Sequence, residues 1–257
     1  MTMPLLQAQA LTVAIGGKTI CRDFDLTLHV GECLAILGRN GAGKSTLLSV
    51  LAGLRAPQAG AVRIAGASYA TLGPRRSALI RGWLPQARAD AFSSTVLECA
   101  LVGRHPHLAR WDWESEHDAQ IARAALAAVG LADFAARDVQ TLSGGERQRL
   151  AIATLLTQAP QLYLLDEPIA HLDLNHQIAA LQLFAERAAQ EQVGCAMVMH
   201  EPGLAVRFCD RALLLFDDGS TRFGACADVV TAESLSRLYG YPLREIRDGE
   251  QRWFIPA

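Results

Sequence analysis

The sequence predicts an α/β fold: a parallel-sheet core, an antiparallel β subdomain from the N-terminal strands, and an α-helical subdomain inserted in the middle. Three observations predict it. Cys33–Leu37, Leu162–Leu165 and Ala196–Met199 are short unbroken apolar runs, each ending at glycine or polar residues, as strands covered on both faces do. Asp25–Val30 alternates polar and apolar side chains, as a half-buried antiparallel strand does. From about Ser94 to Ala159 the periodicity is helical, with few strand signals.

Taken in order, Leu5–Ile15 and Lys18–Val30 read as two strands about a Gly16-Gly17 turn. The opening residues are apolar, but no basic stretch precedes them and Gln7 and Gln9 interrupt them. A strand is therefore expected rather than a signal peptide. The Cys33–Leu37 run leads through a glycine-rich loop into a helical stretch, Thr46–Leu54. Ile121, Ala125, Ala128 and Val129 make a stripe at helical spacing, closed by Gly130 as a C-terminal cap. Another helix runs from Ser143 to about Gln158, before Pro160. Asp218-Gly219, between Leu213–Phe216 and Thr221–Phe223, signals a hairpin, and Asp248-Gly249 a weaker one. The expected organisation is one domain over residues 1–257, with 1–86 and 160–257 as core and tail and 87–159 as the helical subdomain.

Composition narrows the functional classes. With 51% hydrophobic and 19% charged residues, the chain is composed as a folded protein. A formal net charge of -2 gives no electrostatic footprint for nucleic acid or an anionic membrane surface. No run approaches the roughly 18 apolar residues of a spanning helix, so work at a membrane requires a partner that holds the chain there. Cys21, Cys33, Cys99, Cys195, Cys209 and Cys226 form no C-x-x-C pair and are expected to be reduced and mostly buried. Lysine is scarce: Lys18 and Lys44 are the only two.

One of those lysines lies in GRNGAGKST, Gly38–Thr46, which fits a phosphate-cradling loop between a buried strand and a helix. Glycines at 38, 41 and 43, with Asn40 and Ala42 between them, let backbone N–H groups converge on phosphate oxygens. The following helix start adds partial positive charge. Lys44 is expected to reach the terminal phosphates, Ser45 to ligate Mg²⁺, and Thr46 to complete the loop. An ammonium is a compact point charge, where the planar fork of arginine needs more room. Asp166 and Glu167 end an apolar run before Pro168. They are expected to emerge at the sheet edge, Asp166 toward Mg²⁺ and Glu167 toward an attacking water, although DEP is also ordinary turn chemistry. In LSGGERQR, Leu142–Arg149, Ser143 and Glu146 have capping-box spacing. That leaves Gly144-Gly145 unexplained, since each glycine in a first turn costs up to about 1 kcal/mol relative to alanine. Bare N–H groups at a positive helix end make a second anion site.

Together, GRNGAGKST, LYLLDEP and LSGGERQR resemble the ATP-binding cassette (ABC) ATPases, over essentially the whole chain. The resemblance implies a P-loop NTPase (RecA-like) core that binds ATP and Mg²⁺. It also implies a head-to-tail homodimer that sandwiches two ATP between the phosphate loop of one copy and Ser143, Gly144 and Gly145 of the other. It implies that Gln86, in WLPQ, reaches Mg²⁺ and the water, and that His200, in VMHE, contacts the γ-phosphate. Asp173, in AHLD, falls at the family's D-loop. Alone, Gln86 and His200 also read as an ordinary surface residue and a hydrogen-bonded strand-end histidine. Three positions depart from the family pattern: Ile15 where many members stack an aromatic ring on adenine, Ile169 where Ser or Thr is common, and Glu201 where Asp is commoner. Neither of the last two removes a catalytic group.

GRHPH, Gly103–His107, and the tail from Leu238 onward resemble the ATPase subunits of importers for ferric siderophores, heme and vitamin B12. That resemblance implies transmembrane permease subunits as partners, indirectly a periplasmic or surface substrate-binding protein, and a peripheral place on the cytoplasmic face of the inner membrane. His105 and His107 have no third ligand nearby and read as surface residues rather than a metal site. Trp111 and Trp113 read as core or permease-facing packing. Two alternatives stand beside this reading: an ABC ATPase for another cargo, such as zinc, manganese or an exported lipid, and a soluble one acting on DNA or ribosomes.

Overall fold

A computed structural model describes residues 4–86, 93–249 and 251–257. The chain opens with β1 (Pro4–Ile15) and β2 (Lys18–His29), antiparallel about Gly16-Gly17. Both turn glycines have positive φ, +56° and +82°, which a two-residue turn matched to the strand twist demands. Next come β3 (Cys33–Gly38), α1 (Lys44–Leu51), β4 (Ala59–Ile64), β5 (Ala67–Ser68), α2 (Tyr69–Ile80) and β6 (Arg81–Leu84). The helical stretch holds α3 (Val96–Leu101), α4 (Glu116–Ala128) and α5 (Gly144–Gln158). Then follow β7 (Leu162–Asp166), α6 (Leu174–Glu191), β8 (Gly194–Val198), α7 (Pro202–Phe208), β9 (Arg211–Leu215), β10 (Thr221–Ala225), α8 (Cys226–Val229) and α9 (Ala232–Tyr239). A hairpin of β11 (Leu243–Asp248) and β12 (Gln251–Pro256) closes the chain.

The larger sheet has the order β10-β9-β3-β8-β7-β6, parallel from β9 to β6 with β10 antiparallel at one edge. The smaller sheet, β2-β1-β4-β5, is antiparallel throughout. Side-chain alternation explains why the central runs are apolar without a break. Leu34, Ile36, Leu162, Leu164, Ala196 and Val198 point into one core, shared with α1 and the antiparallel sheet. Cys33, Ala35, Leu37, Tyr163, Leu165, Cys195 and Met197 point into the other, shared with α5, α6 and α7. Each large aliphatic side chain fully buried this way contributes roughly 1.5–3 kcal/mol.

Each of the three described helices in the middle of the chain starts with a reciprocal capping box: Thr95 with Glu98, Ser115 with Asp118, and Ser143 with Glu146. Several expectations shift. α1 begins at Lys44, directly after the left-handed Gly43, and ends at Leu51, ahead of the left-handed Gly53, so it is shifted earlier than Thr46–Leu54. The buried face of α4 is Asp118, Ala122, Ala125 and Leu126, while Ala128 is exposed and Val129 is the C-cap, so the stripe lies about one residue off that expected. Gly130 does end the helix, at φ +68°. Trp111 and Trp113 are 84% and 88% exposed, so neither is core. Five of the cysteines are buried, Cys99 is half-buried, and all six are free thiols. The boundary expected at residue 87 lies outside the described residues. No helix among the described residues is long and apolar enough to cross a membrane.

Candidate functional site

Strand order assembles the site. At the C-terminal edge of the larger sheet, β3 delivers Gly38 and its loop, β8 delivers His200, β7 delivers Asp166 and Glu167, and β6 ends two residues before Gln86. Because β8 lies between β3 and β7, His200 falls between the phosphate loop and Glu167. Parallel sheets place ligands at this edge.

The loop has a backbone that suits an anion. Gly41 and Gly43 have φ of +78° and +96°, backbone that a side chain resists. A Cβ on Gly43 would stand 2.6 Å from Ile20. Among the described residues no carbonyl or side chain accepts the N–H groups of Asn40, Gly41, Gly43, Lys44, Ser45 or Thr46, whereas Ala42 donates to the Arg39 carbonyl at 3.1 Å. Such a row of unengaged donors at a helix start suits a phosphate. Lys44 is 6% exposed, and its Nζ donates to the carbonyls of Gly38 (2.8 Å) and Arg39 (3.1 Å). Burial lowers the lysine below its ordinary range, while the nearby charges of Glu167 and Asp166 pull it upward. Ser45 Oγ donates to Asp166 Oδ1 at 2.9 Å. Burial raises the Asp166 carboxyl, an effect that the Ser45 bond opposes. A hydroxyl and a carboxylate oxygen side by side form a hard donor set that suits Mg²⁺. The described residues thus fit both a triphosphate and that cation.

Glu167 adopts a left-handed backbone, φ +52°, and His171 does so at +64°, flanking the Pro168–Ala170 turn. Non-glycine residues held there store strain that the surrounding structure must offset. His200 Nε2 lies 2.7 Å from Glu167 Oε1. Both line a cleft of about 760 Å³, which Trp253 and Phe254 of the C-terminal hairpin also line. Gln86 is exposed, and Ile15 is 45% exposed at the end of β1.

Ser143 and Gly144 sit exposed at the start of α5. No hydrogen bond or ion pair among the described residues joins them or Gly145 to Gly38–Thr46. Gly145 packs under the His171 carbonyl, where an added Cβ would sit 3.2 Å away. Asp173 caps α6, accepting from the His176 amide at 3.0 Å and lying 2.8 Å from its Nδ1. Contacts that no motif announced also surround the site. Gln148 donates to the Pro168 carbonyl at 2.8 Å and ties α5 to the turn that carries Glu167. At the loop rim, Lys18 donates to the Gly41 carbonyl at 3.0 Å, and Arg39 pairs with Asp217 at 3.1 Å. The lysine count was the one signal that could have singled out Lys18.

The family model described as "ABC transporter" matches residues 21–170, from β2 through the Glu167 turn. The chain belongs to the ABC transporter family. Among its curated relatives, the hemin import ATP-binding protein HmuV of Burkholderia pseudomallei is 38% identical, covering 98% of this chain and 100% of its own length. HmuV of Gloeobacter violaceus is 40% identical over 92% of this chain and 87% of its own. The cobalamin import ATP-binding protein BtuD of Halobacterium salinarum is 37% identical over 91% of this chain and 58% of its own. Among solved ABC structures, one described as an inward-facing, metal-chelate type transporter superposes with a TM-score of 0.86 at 29% identity, covering 99% and 98% of the two chains. The ATP-binding cassette MJ0796, as a dimer bound to ADP and Pi, superposes at 0.75 with 25% identity, over 86% and 99%. This ABC chain therefore has the P-loop NTPase fold, with an antiparallel β subdomain and an inserted helical one, and is an ABC ATPase.

Proposed function

We propose that this chain is the ATP-hydrolysing subunit of an importer for an iron chelate, heme or vitamin B12, working as a head-to-tail homodimer. One observation supports the dimer: the loop at Gly38–Thr46 and the exposed helix start at Ser143–Gly145, each suited to an anion, are joined by no hydrogen bond or ion pair among the described residues. A second copy brings the missing half to each, with Asp173 at the junction between them. In that arrangement Lys44 and the loop amides hold the terminal phosphates, and Ser45, Asp166 and Gln86 hold Mg²⁺. The metal would neutralise charge on the phosphate oxygens. Glu167 polarises the attacking water, and His200, at 2.7 Å from that carboxylate, holds it in place and faces the γ-phosphate. Ile15 packs on the base through aliphatic contact alone.

The names of the HmuV and BtuD relatives support an importer for a tetrapyrrole or a similar chelate. Membrane-spanning permease subunits are then the direct partners, a periplasmic or surface binding protein the indirect one, and the cytoplasmic face of the inner membrane the place of action. The inserted helices α3, α4 and α5 belong to the helical subdomain that meets the permease. Lys44→Ala should weaken ATP binding by about tenfold or more, because it removes charge-assisted bonds to phosphate. Unchanged binding in calorimetry would contradict its role. Co-purification from membranes should recover a polytopic permease; recovery of ribosomes or DNA instead would overturn the transport reading.

A further inference from the structure

We propose that Lys18, which lies outside every nucleotide motif, is a positioning residue of the nucleotide site. The proposal rests on the ATP-binding reading above. Of the 24 basic residues other than histidine, only Lys18 and Lys44 are lysines, and both donate to carbonyls of the same loop. Lys18 reaches it from the other sheet, Nζ to the Gly41 carbonyl at 3.0 Å. In the β1–β2 register it stands directly opposite Ile15, so the two side chains share one face. Two residues further on, Ile20 presses on Gly43, where no Cβ could fit. The start of β2 therefore grips the loop at two points.

The bond matters because of which peptide it holds. The Gly41 carbonyl and the Ala42 N–H belong to one planar unit. Lys18 binds the first and the Arg39 carbonyl accepts from the second, so the plane is fixed at both ends. The N–H groups of Gly41 and Gly43, on either side of it, keep no acceptor among the described residues. Fixing that plane holds the cradle in shape before a phosphate arrives. Lys18 also lies 3.6 Å from Asp217, which pairs with Arg39 at 3.1 Å, so one carboxylate in the turn after β9 steadies both cations at the rim. A compact ammonium satisfies a single carbonyl and a neighbouring carboxylate without the space that a guanidinium fork requires.

The test titrates Mg-ATP and ADP calorimetrically into the full-length wild-type, Lys18→Met and Lys18→Arg proteins, with steady-state kinetics and thermal melts alongside. Lys18→Met should weaken both nucleotides by about three- to tenfold, the range for a charge-assisted bond at a half-exposed site. That loss should appear in KM, with kcat and the melting temperature held, and Lys18→Arg should recover only part of it, because it keeps the charge but needs more room. Wild-type affinity in Lys18→Met would overturn the assignment alone. A loss that tracks a lowered melting temperature in both variants would overturn it as well. A wild-type chain that binds neither nucleotide would overturn the ATP-binding reading and this proposal with it.

Discussion

Lys44, Asp166 and Glu167 form a charged cluster at the edge of an apolar sheet, and each is placed by backbone before side chain. Lys44 is the first residue of α1, Asp166 the last of β7, and Glu167 occupies a left-handed turn that its type does not favour. The motifs were legible at this scale because they are contiguous and end apolar runs. The contacts of Lys18 and Gln148 were not, since each joins segments far apart in sequence, Lys18 to Gly41 and Gln148 to Pro168. Ile15 is exposed beside Lys18, and an aromatic ring there would add stacking on the base at the proposed site. Ile15→Tyr should tighten ATP binding by about fivefold, corresponding to roughly 1 kcal/mol of stacking, as read by calorimetry. No change would mean that position 15 does not face the base.

Among the elements, the buried strands and both Asp-Gly hairpins were readable, because period and turn chemistry are local. β4, β6 and α2 were not read. β4 is mostly exposed, β6 has four residues, and α2 is broken at Gly73, where φ is +72° before Pro74. The inserted helices depend on an ion pair that the periodicity could not disclose: Arg104 Nε bonds Asp118 Oδ1 at 2.7 Å, with both side chains largely buried. Hydrogen bonds from Ser115 and then Arg104 hold the Asp118 carboxyl far below its ordinary range. Asp118→Asn should lower the unfolding free energy in urea by about 3 kcal/mol, because it leaves the guanidinium buried without its counter-charge. The C-terminal hairpin has a similar clamp, Arg252 on both oxygens of Glu245, at 3.0 and 2.8 Å. That pairing lowers the Glu245 carboxyl to about 2. A folded-state value below the unfolded one, roughly 4.3, means the clamp is fully stabilising above that pH and is lost as pH falls toward 2. Proteolysis of residues 243–256 should accelerate across that interval, and Arg252→Gln should show fast cleavage at neutral pH. Equal rates throughout would rule the clamp out.

For the whole molecule, the two surfaces proposed to carry the nucleotide chemistry are kept apart by the fold. The larger sheet gathers the loop, Asp166, Glu167, His200 and Gln86 at one edge, while Ser143–Gly145 open α5 on the inserted helices. Neither surface alone surrounds a triphosphate with donors on all sides. The proposed pairing of two copies follows from that separation, and Glu167→Gln is the variant that makes it visible, because it keeps the binding groups while removing the carboxylate proposed to activate water. Sedimentation of Glu167→Gln with saturating Mg-ATP should give a stable dimer that dissociates when nucleotide is removed. A species that stays monomeric while fully loaded with ATP would contradict the paired site.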